Sequence, residues 1–105
     1  MTQIKRAKAI LRNYHALEAR KYVGDLDAIC TLVDLEQAIA KAELTARQAE
    51  ALRLVYGEDL TQASAGERMG IEKSAVSRLI ERSVSNIDEI YAYWAFHENE
   101  YGEEV

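Results

Sequence analysis

Residues 61–79 read TQASAGERMGIEKSAVSRL, and their spacing decides the fold. Ala65 and Met69 are apolar one helical turn apart, Gly70 follows at once, and Ile71, Val76 and Leu79 resume the apolar pattern. Side chains three and four residues apart share a helix face. The pattern therefore predicts two short helices, each with one inward stripe, joined at Gly70, where the chain can adopt positive φ at little cost. Gly66 lies inside the first of them, although glycine there costs roughly 1 kcal/mol relative to alanine. A close approach of the two helices accounts for it. Any two amphipathic helices joined at a glycine share part of this pattern, but the joint fit of Ala65, Gly66, Met69, Gly70, Val76 and Leu79 favours a helix-turn-helix.

The rest of the chain agrees with an all-helix fold. In 105 residues there is no proline and there are five glycines, while Ala, Leu, Glu, Lys, Arg and Gln dominate; these are good helix formers. The length suits one domain with a modest core. Cys30 is the single cysteine, so no intramolecular disulfide forms and a reducing cytoplasm is the expected location. No apolar run reaches the ~18 residues of a membrane span, and no secretory h-region follows the basic N-terminus. The expectation is a soluble cytoplasmic protein of a bacterial cell, without membrane contact.

A net charge of −5 runs against nucleic-acid binding, yet the charge is segregated. Lys5, Arg6, Lys8, Arg12, Arg20 and Lys21 against Glu18 give residues 1–24 a balance of +5. Residues 25–60 carry −5, residues 61–86 carry +1, and residues 87–105 carry −6. Salt screens charge over roughly 8–10 Å, so local balance counts for more than the total. The basic N-terminal helix is either a solvated face or an accessory phosphate contact.

Outward from the motif, residues 4–23 have Ile4, Ala7, Leu11, Tyr14, Leu17 and Tyr22 near helical spacing, which predicts one helix ending at Gly24. Asp25 or Asp27 starts the next, with Leu26, Ile29, Leu32 or Val33, Leu35 or Glu36, and Ile39 as its stripe to about Ala42. Cys30 belongs to that apolar face as a small buried thiol. Thr45 followed by Gln48 is a capping-box pattern, and Ala49, Leu52 and Val55 give the third helix its inner face up to Gly57. Thr61 caps the first motif helix. From Lys73 the pattern Val76, Leu79, Ile80, Ser83, Val84, Ile87, Ile90, Tyr91 and Trp94 predicts a continuous helix of about 25 residues, or roughly 37 Å. Its second half is aromatic. It either packs back on the N-terminal helices or forms a subunit interface through Ile87, Ile90, Tyr91 and Trp94, since aromatics are enriched at interfaces. Residues 98–105 are expected to be a frayed acidic end.

The stretch LTARQAEALRLVYGEDLTQASAGERMGIEKSAVSRLIERSVSNI, from Leu44 to Ile87, resembles region four of sigma-70-type RNA polymerase sigma factors. The likeness rests on the Leu-Thr-x-Arg-Gln opening at 44–48, the Leu-Arg-Leu-Val-Tyr-Gly helix end at 52–57, and the motif itself. Nothing before Asp34 resembles other sigma regions. The N-terminal LRNYHALEARKY and the overall size are similar to small phage and prophage transcription regulators of the ArpU and RinA type. These resemblances imply residues 1–43 as an N-terminal helical segment, 44–87 as the sigma-like helix-turn-helix, and 88–105 as an aromatic helix extension with an acidic tail, all within one compact all-α domain.

Carried over by position, the resemblance makes residues 73–82 a recognition helix for the major groove. Lys73, Ser74, Ala75, Ser77 and Arg78 would face the bases and Arg82 a phosphate, with Thr61 and Gln62 of the preceding helix in the same DNA-binding set. Helical geometry agrees, because 73, 74, 77, 78 and 81 lie opposite Val76, Leu79 and Ile80. Arg78 can bond guanine O6 and N7 with both arms of its fork. Ser and Ala stand where sigma factors often have long charged side chains, which reduces direct readout, and Glu72 and Glu81 lie near the same face.

Other chemistry is poorly supplied. His15 and His97 have no Cys or His at ligand spacing, so no metal or other cofactor is expected. The Asp25/Asp27 and Asp88/Glu89 pairs do not stack on one helical face, and no glycine-rich phosphate loop exists. A non-enzymatic, DNA-binding transcription regulator is the first expectation, with double-stranded DNA as partner, RNA polymerase as a further one, and a homodimer as the assembly. The rivals are a protein-binding adaptor with weak DNA contact and a ring-forming recognition subunit of phage DNA packaging.

Overall fold

The computed structural model describes residues 5–104, with side chains from Lys5 to His97. The elements are α1 (Ala7–Arg12), α2 (Tyr14–Tyr22), α3 (Leu26–Lys41), α4 (Ala46–Leu52) running into a π-helical turn at Arg53–Gly57, α5 (Gln62–Met69) and α6 (Lys73–Glu104). The fold is all-α, with the helix-turn-helix in its C-terminal part.

The single N-terminal helix expected over residues 4–23 is two helices. Asn13 breaks it by turning its side chain on the backbone: Nδ2 donates to the Ala9 carbonyl at 2.9 Å while Asn13 adopts φ −99°, ψ 13°. Asparagine competes with helical hydrogen bonding in this way. Gly24, at φ 87°, turns the chain, and Asp25 rather than Asp27 caps α3, accepting from the Ala28 N–H at 3.2 Å. The Arg20 guanidinium, 2.8 Å away, and that cap bond together hold the Asp25 carboxyl below its usual range.

Two helix faces are rotated from expectation. The buried stripe of α3 is Ala28, Leu32, Leu35 and Ala38, while Leu26 and Val33 are exposed. Alanines at 28 and 38, both 0 % exposed, let neighbouring helices approach closely. Cys30 lies two residues from either side of that stripe and is exposed, not the buried thiol expected. In α4 the Thr45–Gln48 capping box forms in both directions. The inner residues, however, are Ala51, Leu52 and Leu54, with Ala49 exposed and Val55 half-buried. The helix then closes in a wider, π-helical turn, in which the Glu58 N–H bonds to the Arg53 carbonyl five residues back, at 2.9 Å.

Helix α6 has 32 residues, longer than expected, and rises about 48 Å. Its backbone runs through Gly102 to Glu104. The end expected to fray, 98–105, continues the α6 backbone to Glu104, while Val105 and the side chains beyond His97 lie outside the described residues. Val76, Ile80, Ser83, Ile87 and Tyr91 form the buried stripe. Ser83 is tolerated there because its hydroxyl donates to the Leu79 carbonyl at 2.7 Å.

One contiguous core joins α1, α3, α4, α5 and α6 through Ala7, Leu11, Leu35, Leu54, Val76 and Ile87, among others. Asp88 fixes the N-terminal end of this arrangement. Its Oδ1 accepts from the backbone N–H groups of Arg6 (2.9 Å) and Ala7 (2.8 Å), and the Arg6 guanidinium lies 5.1 Å over the Tyr91 ring. A carboxylate at the first N–H groups of α1 satisfies donors that would otherwise lack partners. Ile87 and Tyr91 are 0 % and 3 % exposed within a single chain, packed in the core they share with the N-terminal helices. Ile90 and Trp94 are half-buried against the same core, with Trp94 edge-on to Tyr91. On its other side the helix exposes Tyr93 and Phe96.

The Tyr91 hydroxyl is buried without a hydrogen-bond partner among the described residues. Burial pushes its pKa up, Arg6 acts in the opposite sense, and Asp34 and Asp88 add to the rise. An unmatched buried hydroxyl costs about 1–3 kcal/mol. Tyr91→Phe is accordingly expected to be at least as stable as wild type in thermal melting. A loss of stability on that change would reveal a partner for the hydroxyl.

Candidate nucleic-acid interface

The helix-turn-helix is built from α5, the turn at Gly70–Glu72, and the first half of α6. Thr61 caps α5, accepting from the Ser64 N–H at 3.1 Å and donating its own hydroxyl to Ser64 Oγ at 3.0 Å. At the other end Gly70 is left-handed, φ 71° and ψ 31°. The Ile71 N–H reaches back to the Gly66 carbonyl at 2.9 Å, and the Gly70 N–H to that of Glu67 at 3.3 Å. Gly66 is where the turn folds back on α5: a Cβ there would lie 2.6 Å from the Ile71 carbonyl oxygen. The close approach thus involves the turn backbone itself rather than two helix axes.

Helix α4 braces the unit from behind. Arg47 donates from Nη1 to the Met69 carbonyl at 3.4 Å, occupying the C-terminal end of α5, and pairs with Glu50 at 3.6 Å. Glu58 joins Arg53 of the π-helical turn to Arg68 of α5, the second contact at 3.6 Å. Sequence reasoning missed Arg47 and Asp88 as positioning residues. Their partners lie 22 and about 80 residues away, and no local pattern reveals such contacts.

The structure places Lys73, Ser74, Arg78 and Arg82 on the exposed side of α6, with Ala75 and Ser77 half-buried. Arg78 lies in line with Ser74, and Arg82 one turn further along. Ser77 belongs to the flank of this face and shares it with Glu81, which is exposed, as is Glu72. Thr61 is exposed but its hydroxyl is occupied by the cap, and Gln62 is half-buried. None of Lys73, Arg78 and Arg82 is held in an ion pair among the described residues. Three cations and a serine, carried on a helix braced from two sides, can present charge and hydrogen-bond donors to an anionic surface.

A capped helix, a left-handed glycine turn and a second helix with an exposed polar face define a helix-turn-helix protein. Residues 42–88, just under half of the chain, match the family model described as Sigma-70, region 4. The C-terminal part of this protein is therefore a sigma-70 region-4-like helix-turn-helix, a DNA-binding and not a catalytic type of domain, related to transcription. No curated protein and no solved structure matches the chain. Among the described residues no helix is long and apolar enough to cross a membrane. No group of His, Cys, Asp and Glu side chains among them could hold a metal ion.

Proposed function

We propose that the protein is a sequence-specific transcription regulator that sets residues 73–82 of α6 into the major groove of promoter DNA. The observation that carries this reading is the exposed row Ser74, Arg78 and Arg82 on a helix whose opposite stripe, Val76 and Ile80, is buried. Arg78 reads a guanine by its bidentate fork, Lys73 and Ser74 contribute at the helix start, and Arg82 meets a phosphate. Ala75 and Ser77 line the edge of the contact, and Thr61 and Gln62 approach the adjoining backbone through the start of α5. In this reading residues 1–43 serve as a helical brace, 44–87 as the reader, and 88–105 as an extension that locks the brace in place. The similarity of the N-terminal segment to small phage and prophage regulators supports a phage-type regulator acting in a bacterial cytoplasm, alone or with RNA polymerase.

The exposed Tyr93 and Phe96 beside an acidic C-terminal sequence favour a second reading, an adaptor that binds RNA polymerase and touches DNA weakly. Selection of bound sequences from random duplex DNA separates the two, because only the regulator enriches a motif. On the enriched duplex, Arg78→Ala is expected to cost about 1–3 kcal/mol and to relax preference at one base pair. Arg82→Ala is expected to weaken all sequences alike and to flatten the salt dependence. Wild-type anisotropy titrations from both variants would rule out this helix as the reader.

A further inference from the structure

The assigned face of α6 is sparsely charged for a DNA contact. Residues 61–86 sum to only +1, and Glu81 is exposed beside the groove-facing row. The largest positive balance in the sequence lies elsewhere, at +5 over residues 1–24. In the structure Lys8 and Arg12, four residues apart, share one flank of α1, and Lys5 lies in the segment that leads into the helix. All three are exposed, and none has an ion-pair partner among the described residues. Their neighbours Ala7 and Leu11 are buried in the core, so this basic segment is held away from the protein and cannot turn inward.

The fold connects this segment directly to the helix that would read DNA. Asp88 of α6 holds the first N–H groups of α1 at 2.8 and 2.9 Å, and Arg6 sits over Tyr91. Residues 77, 81, 84 and 88 follow one another along a single flank of α6, since eleven residues make just over three full turns. Asp88 is thus on the flank of Ser77 and Glu81, about 16 Å beyond Ser77 along the axis. The major groove is about 12 Å wide. A group anchored about 16 Å from the middle of the contact therefore lies beyond the groove floor, near the phosphates that wall it.

We propose that Lys5, Lys8 and Arg12 form a second DNA contact, a sequence-independent clamp on the phosphate backbone flanking the major groove, registered to the reading helix by Asp88. This inference rests on the placement of residues 73–82 in that groove. The clamp offsets the repulsion from Glu81 and supplies affinity that the short side chains at Ser74, Ala75 and Ser77 do not.

The test is fluorescence anisotropy of the full chain with the selected duplex and with a scrambled duplex, from 50 to 200 mM NaCl. It compares wild type, Arg78→Ala, and the triple variant Lys5→Gln, Lys8→Gln, Arg12→Gln, whose glutamines keep good helix formers on α1. Each phosphate contact contributes about 0.9 to the slope of log affinity against log salt. The triple variant is expected to lose between two and three units of that slope and at least tenfold in affinity at 100 mM NaCl. That loss should fall equally on both duplexes, with the selected motif unchanged and the helical circular dichroism retained. A wild-type slope in the triple variant, with Arg78→Ala still relaxing the motif, overturns the clamp and leaves the reading helix intact. Absence of DNA binding by the wild type at every salt overturns both. A changed motif in the triple variant also overturns the clamp, because it would mean base contact by α1.

Discussion

Gly66→Val is expected to destabilise the protein by about 3 kcal/mol, the upper part of the usual range for forcing volume into a packed site. A Cβ at 66 would stand 2.6 Å from the Ile71 carbonyl oxygen and 3.4–3.5 Å from Glu72 C and Lys73 N. All three are backbone atoms, and the Ile71 N–H is itself bonded to the Gly66 carbonyl at 2.9 Å, so the turn cannot yield without losing its own hydrogen bond. For a domain near this size each kcal/mol moves the melting temperature by about 4–8 °C, which puts the expected fall above 10 °C. Gly70→Val provides the contrast. Nothing lies within 4 Å of a Cβ at 70, so its cost comes from φ 71° alone, about 1–2 kcal/mol with a further penalty for β-branching. Melting curves that place Gly66→Val above Gly70→Val would contradict the close approach of the turn to α5.

These two glycines were legible because their reasons are local. A left-handed residue directly after Met69, and a glycine one turn before it, follow from the backbone rules of a tight helical turn. The Thr45 and Thr61 caps were legible for the same reason, since each acts within three residues. The face assignments depended on more than spacing. A period of 3.6 fixes which residues share a face but not which of two adjacent faces is inward. In α3 the choice fell to Ala28 and Ala38, small residues admitted where helices crowd, in preference to the larger Leu26 and Val33. In α4 the inward face is centred on Ala51, Leu52 and Leu54 in place of Ala49, Leu52 and Val55.

The reading face of α6 was visible for most of its length, because Val76 and Ile80 leave Ser74, Arg78 and Arg82 outside. Ser77 was not, being at the boundary where half-burial depends on how α6 meets its neighbours. Least legible was Asp88. As a member of a carboxylate pair it suggested only catalysis, to be dismissed. Its role is set by α1 arriving from more than 80 residues earlier, and only the tertiary fold shows that the basic segment is fastened to the helix-turn-helix.

The same fastening determines what becomes of Ile87. Ile87→Asp is expected to unfold the protein or leave it barely stable, with loss of the cooperative melt at 37 °C. Ile87 is 0 % exposed in a core that α1, α3, α4 and α5 all share with α6. Truncating a buried isoleucine alone costs about 2–5 kcal/mol. A carboxyl in its place adds the cost of a buried polar group without a partner, or forces the group to stay protonated. Together these approach the whole stability of a small domain, about 5–15 kcal/mol. Trp94→Glu should be much milder, because Trp94 is only half-buried at the edge of that core. Sedimentation of the two variants beside the wild type distinguishes a core from an interface. Were Ile87 a contact between subunits, Ile87→Asp would yield a folded, helical monomer from a wild-type dimer. An Ile87→Asp chain that melts cooperatively near the wild-type temperature would show that α6 does not hold the N-terminal helices, and with them the basic segment at α1, in the place described.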